Sequence, residues 1–67
     1  MDQRVKKIAR AIASVHYTDP DAPKGLCFHG PGWERYAAPE LREPIWTVYL
    51  QEAAAVDNVL HHVSRHG

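Results

Sequence analysis

Cys27-Phe28-His29 sets a thiol and an imidazole two positions apart, and His62 and His66 stand at i and i+4, one face of a helix. Two ligands from a loop and two from a helix is a plan used by tetrahedral zinc, whose preferred donors are thiolate and neutral imidazole. Such a site, built from Cys27, His29, His62 and His66, would staple a chain too short to lean on its core alone. Against it, the Cys-x-His gap is narrower than the usual spacing of paired zinc ligands, and His66 is the penultimate residue, where helices fray. A polar helix end beside a half-buried loop cysteine is the plainer account. The expected cofactor is therefore none, with zinc as the alternative.

Cys27 with a nearby histidine could also serve as a nucleophile, since a thiolate needs an adjacent base and a donor for the developing oxyanion. A water-excluding cleft is hard to build in 67 residues. Glu40 and Glu43 can share a turn face, but nothing in the sequence marks them as desolvated, and acid or base work depends on that environment. His29-Gly30-Pro31-Gly32 has glycines but neither the preceding strand nor the following Lys-Ser or Lys-Thr of a phosphate-cradling loop. Each catalytic plan lacks a necessary part, so the chain reads as a binding protein and not as an enzyme.

The stretch best suited to binding is His29-Gly30-Pro31-Gly32-Trp33-Glu34-Arg35-Tyr36. Its glycines let backbone approach a partner closely, its aromatics offer flat area at low entropic cost, and Arg35 and His29 can donate to an anion. Trp33, Arg35 and Tyr36 are of the types enriched at protein-binding hot spots. A nucleotide is the other occupant this chemistry fits, its base stacked on Trp33 or Tyr36 and its phosphates held by Arg35, His29 or the basic residues of the first helix, among them Arg4, Lys7 and Arg10. The bland alternative for Trp33 and Tyr36 is a plug that closes a small core.

Charge narrows the partners. Lys+Arg and Asp+Glu balance at 8 each, which argues against a protein devoted to wrapping a nucleic-acid backbone. The distribution is uneven: Arg4, Lys6, Lys7 and Arg10 stand against Asp2 alone in the first helix, and the remainder is acidic. That split can pair the first helix with its own chain or a second copy as readily as with an outside anion. Helix-turn-helix DNA binding needs a short connection and a basic second helix, and neither is present. No apolar run is long enough for a membrane span, and no apolar stretch follows the first residues as a secretory signal requires. A cytoplasmic location is expected, and a lone cysteine suits a reducing compartment.

The elements that must carry these residues follow from spacing. Asp2 can cap a helix over about 2–16, in which Val5, Ile8, Ile12 and Val15 form one stripe and Ala9, Ala11 and Ala13 add propensity. Pro20 stops it. All 5 prolines and all but one of the 4 glycines fall within 18–44, which predicts a long loop over about 18–43. Because that loop holds Leu26, Phe28, Trp33 and Tyr36, it is expected to be ordered and packed across the helices, with a short helical turn over about 33–37. Pro44 suits the first helical position of a second helix over about 44–65. Its seam is Trp46, Tyr49, Ala53, Val56, Leu60 and Val63, flanked by Ile45, Val48, Ala55 and Val59. One helix cannot cover so wide an apolar surface, so a homo-oligomer is expected unless the loop folds over it. The fold class is all-α, a single domain over 1–67 formed as a helical hairpin of two amphipathic helices.

Ile8-Ala9-Arg10-Ala11-Ile12, the turn Asp19-Pro20-Asp21 and Trp46-x-x-Tyr49-x-x-x-Ala53 together resemble short phage and prophage proteins with an IARAI-like first helix, a DPD-like turn and a W-x-x-Y-x-x-x-A second helix. The resemblance covers about half of the chain and excludes the loop from Ala22 to Glu43. It implies a phage accessory protein that inhibits bacterial defence. Such inhibitors either block a protein surface, as anti-CRISPR proteins do, or form oligomeric sponges that sequester a nucleotide signal. A neutral chain does not suit the acidic DNA-mimic style. Direct binding to a host defence protein is the leading expectation, nucleotide capture the second and a zinc-stapled adaptor the third.

Overall fold

The computed structural model describes the backbone over 2–66 and side chains over 2–61. Among these residues every regular element is helical, with a single isolated bridge between Pro23 and Pro44. Helix α1 spans Gln3–His16, α2 spans Lys24–His29 and α3 spans Leu50–His66. Three 3₁₀ segments fill the connections, at Trp33–Arg35, Pro39–Arg42 and Ile45–Tyr49. No helix of the described residues is long and apolar enough to cross a membrane.

Asp2 caps α1 as its residue type predicts. Its side chain accepts from the Arg4 amide at 2.9 Å, satisfying one of the donors that a helix start leaves without an internal partner. The buried face of α1 differs from the large-residue stripe. Ala9 and Ala13 are fully buried, Val5, Ile8 and Ile12 pack around them, and Val15 is 80% exposed. Alanines at the contact let two helices lie close together, because the side chains between them set the separation of their axes. Ala53 of α3 is likewise fully buried in this cluster, with Ile45 and Trp46. The two long helices run in opposite directions: Arg4, near the start of α1, meets Asp57, and His16, at its end, stacks on Tyr49.

Pro44 does not take the first helical position. It is extended (φ −65°, ψ 148°), and the chain enters α3 through the 3₁₀ segment Ile45–Tyr49. The cause is an outside partner for the first amides. Ile45 N–H donates to the Ala22 carbonyl at 2.7 Å and Trp46 N–H to the Pro20 carbonyl at 3.1 Å. The turn over 19–22 thus supplies partners for these amides from its backbone, and Asp19 Oδ1 in turn accepts from the Asp21 amide at 2.9 Å.

The segment after that turn is ordered, and its helical turn falls at Trp33–Arg35, inside the expected 33–37. It does not lie across the long helices. Helix α2 packs on the 3₁₀ segments at Pro39–Arg42 and Trp33–Arg35, and its Cys27 reaches the main core. Gly25 makes that packing possible, since a Cβ there would stand 2.2 Å from Trp33 Cε3. At the neck, Lys24 N–H donates to the Glu43 carbonyl at 2.8 Å, and Lys24 Nζ pairs with the Glu43 carboxylate at 2.9 Å.

Candidate functional site

Residues 24–36 form a platform that leans on its own base. Trp33 is half-buried, its indole against Gly25 and the Arg42 guanidinium 6.0 Å from the ring centroid. His29 stacks on Tyr36 with centroids 4.4 Å apart and planes 27° from parallel. Arg35 is exposed and folds back to donate from Nε to the Gly32 carbonyl at 3.3 Å. Gly32 has φ 88°, in the left-handed region that a β-carbon disfavours, and this turns the chain into the Trp33–Arg35 segment. The residues between 29 and 36 are therefore brought together, with Trp33 inward and His29, Arg35 and Tyr36 outward.

The segment exposes more apolar surface than the 29–36 reading anticipated. Leu26 is 43% exposed and Phe28 53%, equal to Tyr36. On a helix, neighbours on either side of an inward residue point away from it. Cys27 faces the core, so Leu26 and Phe28 are directed off it. The missing signal was the helix itself: a six-residue α2 containing a glycine leaves little periodicity to detect.

The basic residues of α1 are largely committed within the chain. Arg10 makes a two-pronged pair with Asp21, with Nε to Oδ1 at 3.1 Å. That hydrogen bond and charge raise the Arg10 pKa further. Arg4 lies 3.6 Å from both Asp57 and Asp2, and Lys6 Nζ stands 5.4 Å from the Trp46 ring centroid. Lys7 is exposed and makes no ion pair among the described residues. With Arg4, Ile8, Asp57, Leu60 and His61 it lines an open groove between α1 and α3.

Cys27 and His29, the described members of the set considered for metal or nucleophilic chemistry, face different sides. Cys27 packs against the core while His29 stacks outside on Tyr36. His62 and His66 lie outside the residues whose side chains are described, and among those that are, no three metal-type side chains gather. Burial pushes the Cys27 thiol pKa up and the Asp19 charge adds to it, so the thiolate is scarce near neutral pH. Glu43 is paired with Lys24, and Glu40 is exposed.

No family model matches the chain, and neither a curated protein nor a solved structure is similar to it.

Proposed function

We propose that this is a small non-enzymatic interaction protein of the phage type, a helical hairpin that acts in the host cytoplasm and inhibits a bacterial defence component by direct protein binding. The observation that carries the reading is the exposure of Leu26, Phe28 and Tyr36, with exposed Arg35, on one short segment whose base is Trp33 packed against Gly25. Large apolar side chains fixed on a rigid support bind at low entropic cost, and an arginine at their edge selects for a carboxylate. The partner surface it fits is an apolar pocket rimmed by acidic side chains. The neutral charge of the chain suits this use better than mimicry of DNA.

The test is a phage plaque assay on bacteria carrying one defined defence system, with and without the protein. Wild type should restore plaques, and Phe28→Ala and Arg35→Ala should not, while their helicity by circular dichroism stays unchanged. Full activity of both variants would end the reading.

A second reading, capture of a nucleotide, draws on one feature. Arg4 and Lys7 line a groove together with His61 and with Asp57, which pairs with Arg4, and basic side chains in a groove suit phosphate. A ligand that binds only the folded state raises the melting temperature with the logarithm of its concentration. Absence of any shift with cyclic or linear nucleotides would remove it.

A further inference from the structure

The α1–α3 pair has two sides, and they differ in what covers them among the described residues. On the first, Arg10 reaches Asp21 and Lys6 covers Trp46, so the turn and the 3₁₀ entry to α3 sit there. On the second lie Val15 of α1 and Val56 and Val59 of α3, all exposed, next to Ile8 and Ile12, which share the Val15 stripe at i, i+4 and i+7 and are half-buried against the core. Ile8 shares a groove with Leu60, which places both helices' stripes on the same side. Val15 is 80% exposed, Val56 41% and Val59 61%.

One copy alone has a meagre core. Among the described residues Ile45 is the single large side chain that is fully buried, and three of the six core residues are alanine. The chain is also drawn out, 50 Å along its longest axis with a radius of gyration of 14.2 Å, where a self-contained domain of this length would have about 11 Å. Stable architectures close an apolar helix face with another layer, and chains near this size commonly recruit a second copy to supply it.

The charges at the two ends of the bare face select the arrangement. Glu52 shares the face with Val56 and Val59 at i, i+4 and i+7, near the start of α3. At the other end Lys7 and Arg4, the latter paired with Asp57, lie beside Leu60 and leave a local excess of positive charge. A two-fold axis lying in the face and perpendicular to the helices sets the acidic end of each copy over the basic end of the other. A zero net charge means that two copies do not repel.

We infer that a second copy of this chain covers the face of exposed Val15, Val56 and Val59 and the outer edges of half-buried Ile8 and Ile12, antiparallel and two-fold symmetric, so that the α1–α3 pairs of two chains form one four-helix core. This contact is separate from the 24–36 platform, so its failure leaves the proposed partner site untouched. Sedimentation equilibrium from micromolar to millimolar concentration tests it. Wild type should show twice the chain mass, and Val59→Glu, a change at an exposed position, should remain at the mass of one chain with its helicity kept. Glu52→Lys should weaken the dimer several-fold, and Lys7→Glu in the same chain should restore it. A single-chain mass throughout, or a dimer indifferent to Val59→Glu, overturns the inference, whatever other protein the face then binds. A dimer indifferent to Glu52→Lys overturns the antiparallel arrangement.

Discussion

The α1–α3 pair and the segment between them solve the same problem with opposite means. The pair is long helix against long helix through small side chains, Ala9, Ala13 and Ala53, with Ile45 and Trp46 filling one end. The intervening segment is short turns folded on one aromatic residue, Trp33, made to fit by a glycine. In the first region stability comes from regular backbone brought close. In the second it comes from one shape match, and the larger side chains Leu26, Phe28 and Tyr36 stay outside. The contrast separates a scaffold from a presented surface.

The comparison breaks most visibly at Ile45. Its truncation to Ala removes the one large side chain that is fully buried among the described residues, and should cost about 2–5 kcal/mol, read as a large fall in the urea midpoint with both regions lost together. Gly25→Ala should act next, costing about 1–3 kcal/mol through overpacking. Because the nearest atoms to such a Cβ all belong to Trp33, the Trp33 indole signal should shift by NMR while the far-ultraviolet helicity of α1 and α3 persists. Simultaneous loss of both would show that the regions are one cooperative unit. The smallest effect is on pH dependence. The folded-state pKa values of Cys27 and Tyr49 are raised, first by burial, from ordinary values of 9.0 and 10.0. Folding therefore favours their protonated forms, a contribution present in full below pH 9 and lost as pH rises through the folded values. Thermal stability should decline above pH 9, and Cys27→Ala should remove the earlier part of that decline.

The two regions were not equally legible in the sequence. Helix α1 was readable in full because Asp2, the apolar spacing and Pro20 each mark it independently. Its inward face was misjudged at Val15, since hydrophobic size was read as the measure of contact where close approach of backbone was the governing term. The second helix was visible over 50–65 of the expected 44–65, but its 3₁₀ entry at Ile45–Tyr49 was not. The Ile45 and Trp46 amides bond to carbonyls more than twenty residues earlier, and no local pattern encodes that. In the middle segment, proline and glycine correctly excluded long elements, and the turn at Trp33 was found. Helix α2 was missed because Gly25 counts against a helix locally and for it only once Trp33 is in place. At the candidate site, His29, Arg35 and Tyr36 were identifiable by type and lie together, whereas Leu26 and Phe28 could be read as surface only after α2 was known. The charge split along the chain was a sound guide: Arg10 and Arg4 are answered by Asp21 and Asp57.

The fastening at the neck has a consequence for how such a protein can change over generations. Lys24 to Glu43, Ile45 to Ala22 and Trp46 to Pro20 are joined backbone to backbone, so these bonds survive replacement of most side chains around them. What lies between residues 24 and 43 can then be rewritten, lengthened or shortened at small entropic cost while the helices beneath stay as they are. A lineage pressed to follow a changing partner could vary that stretch freely, and relatives should diverge there first while keeping the alanine contact and the turn at Asp19-Pro20-Asp21.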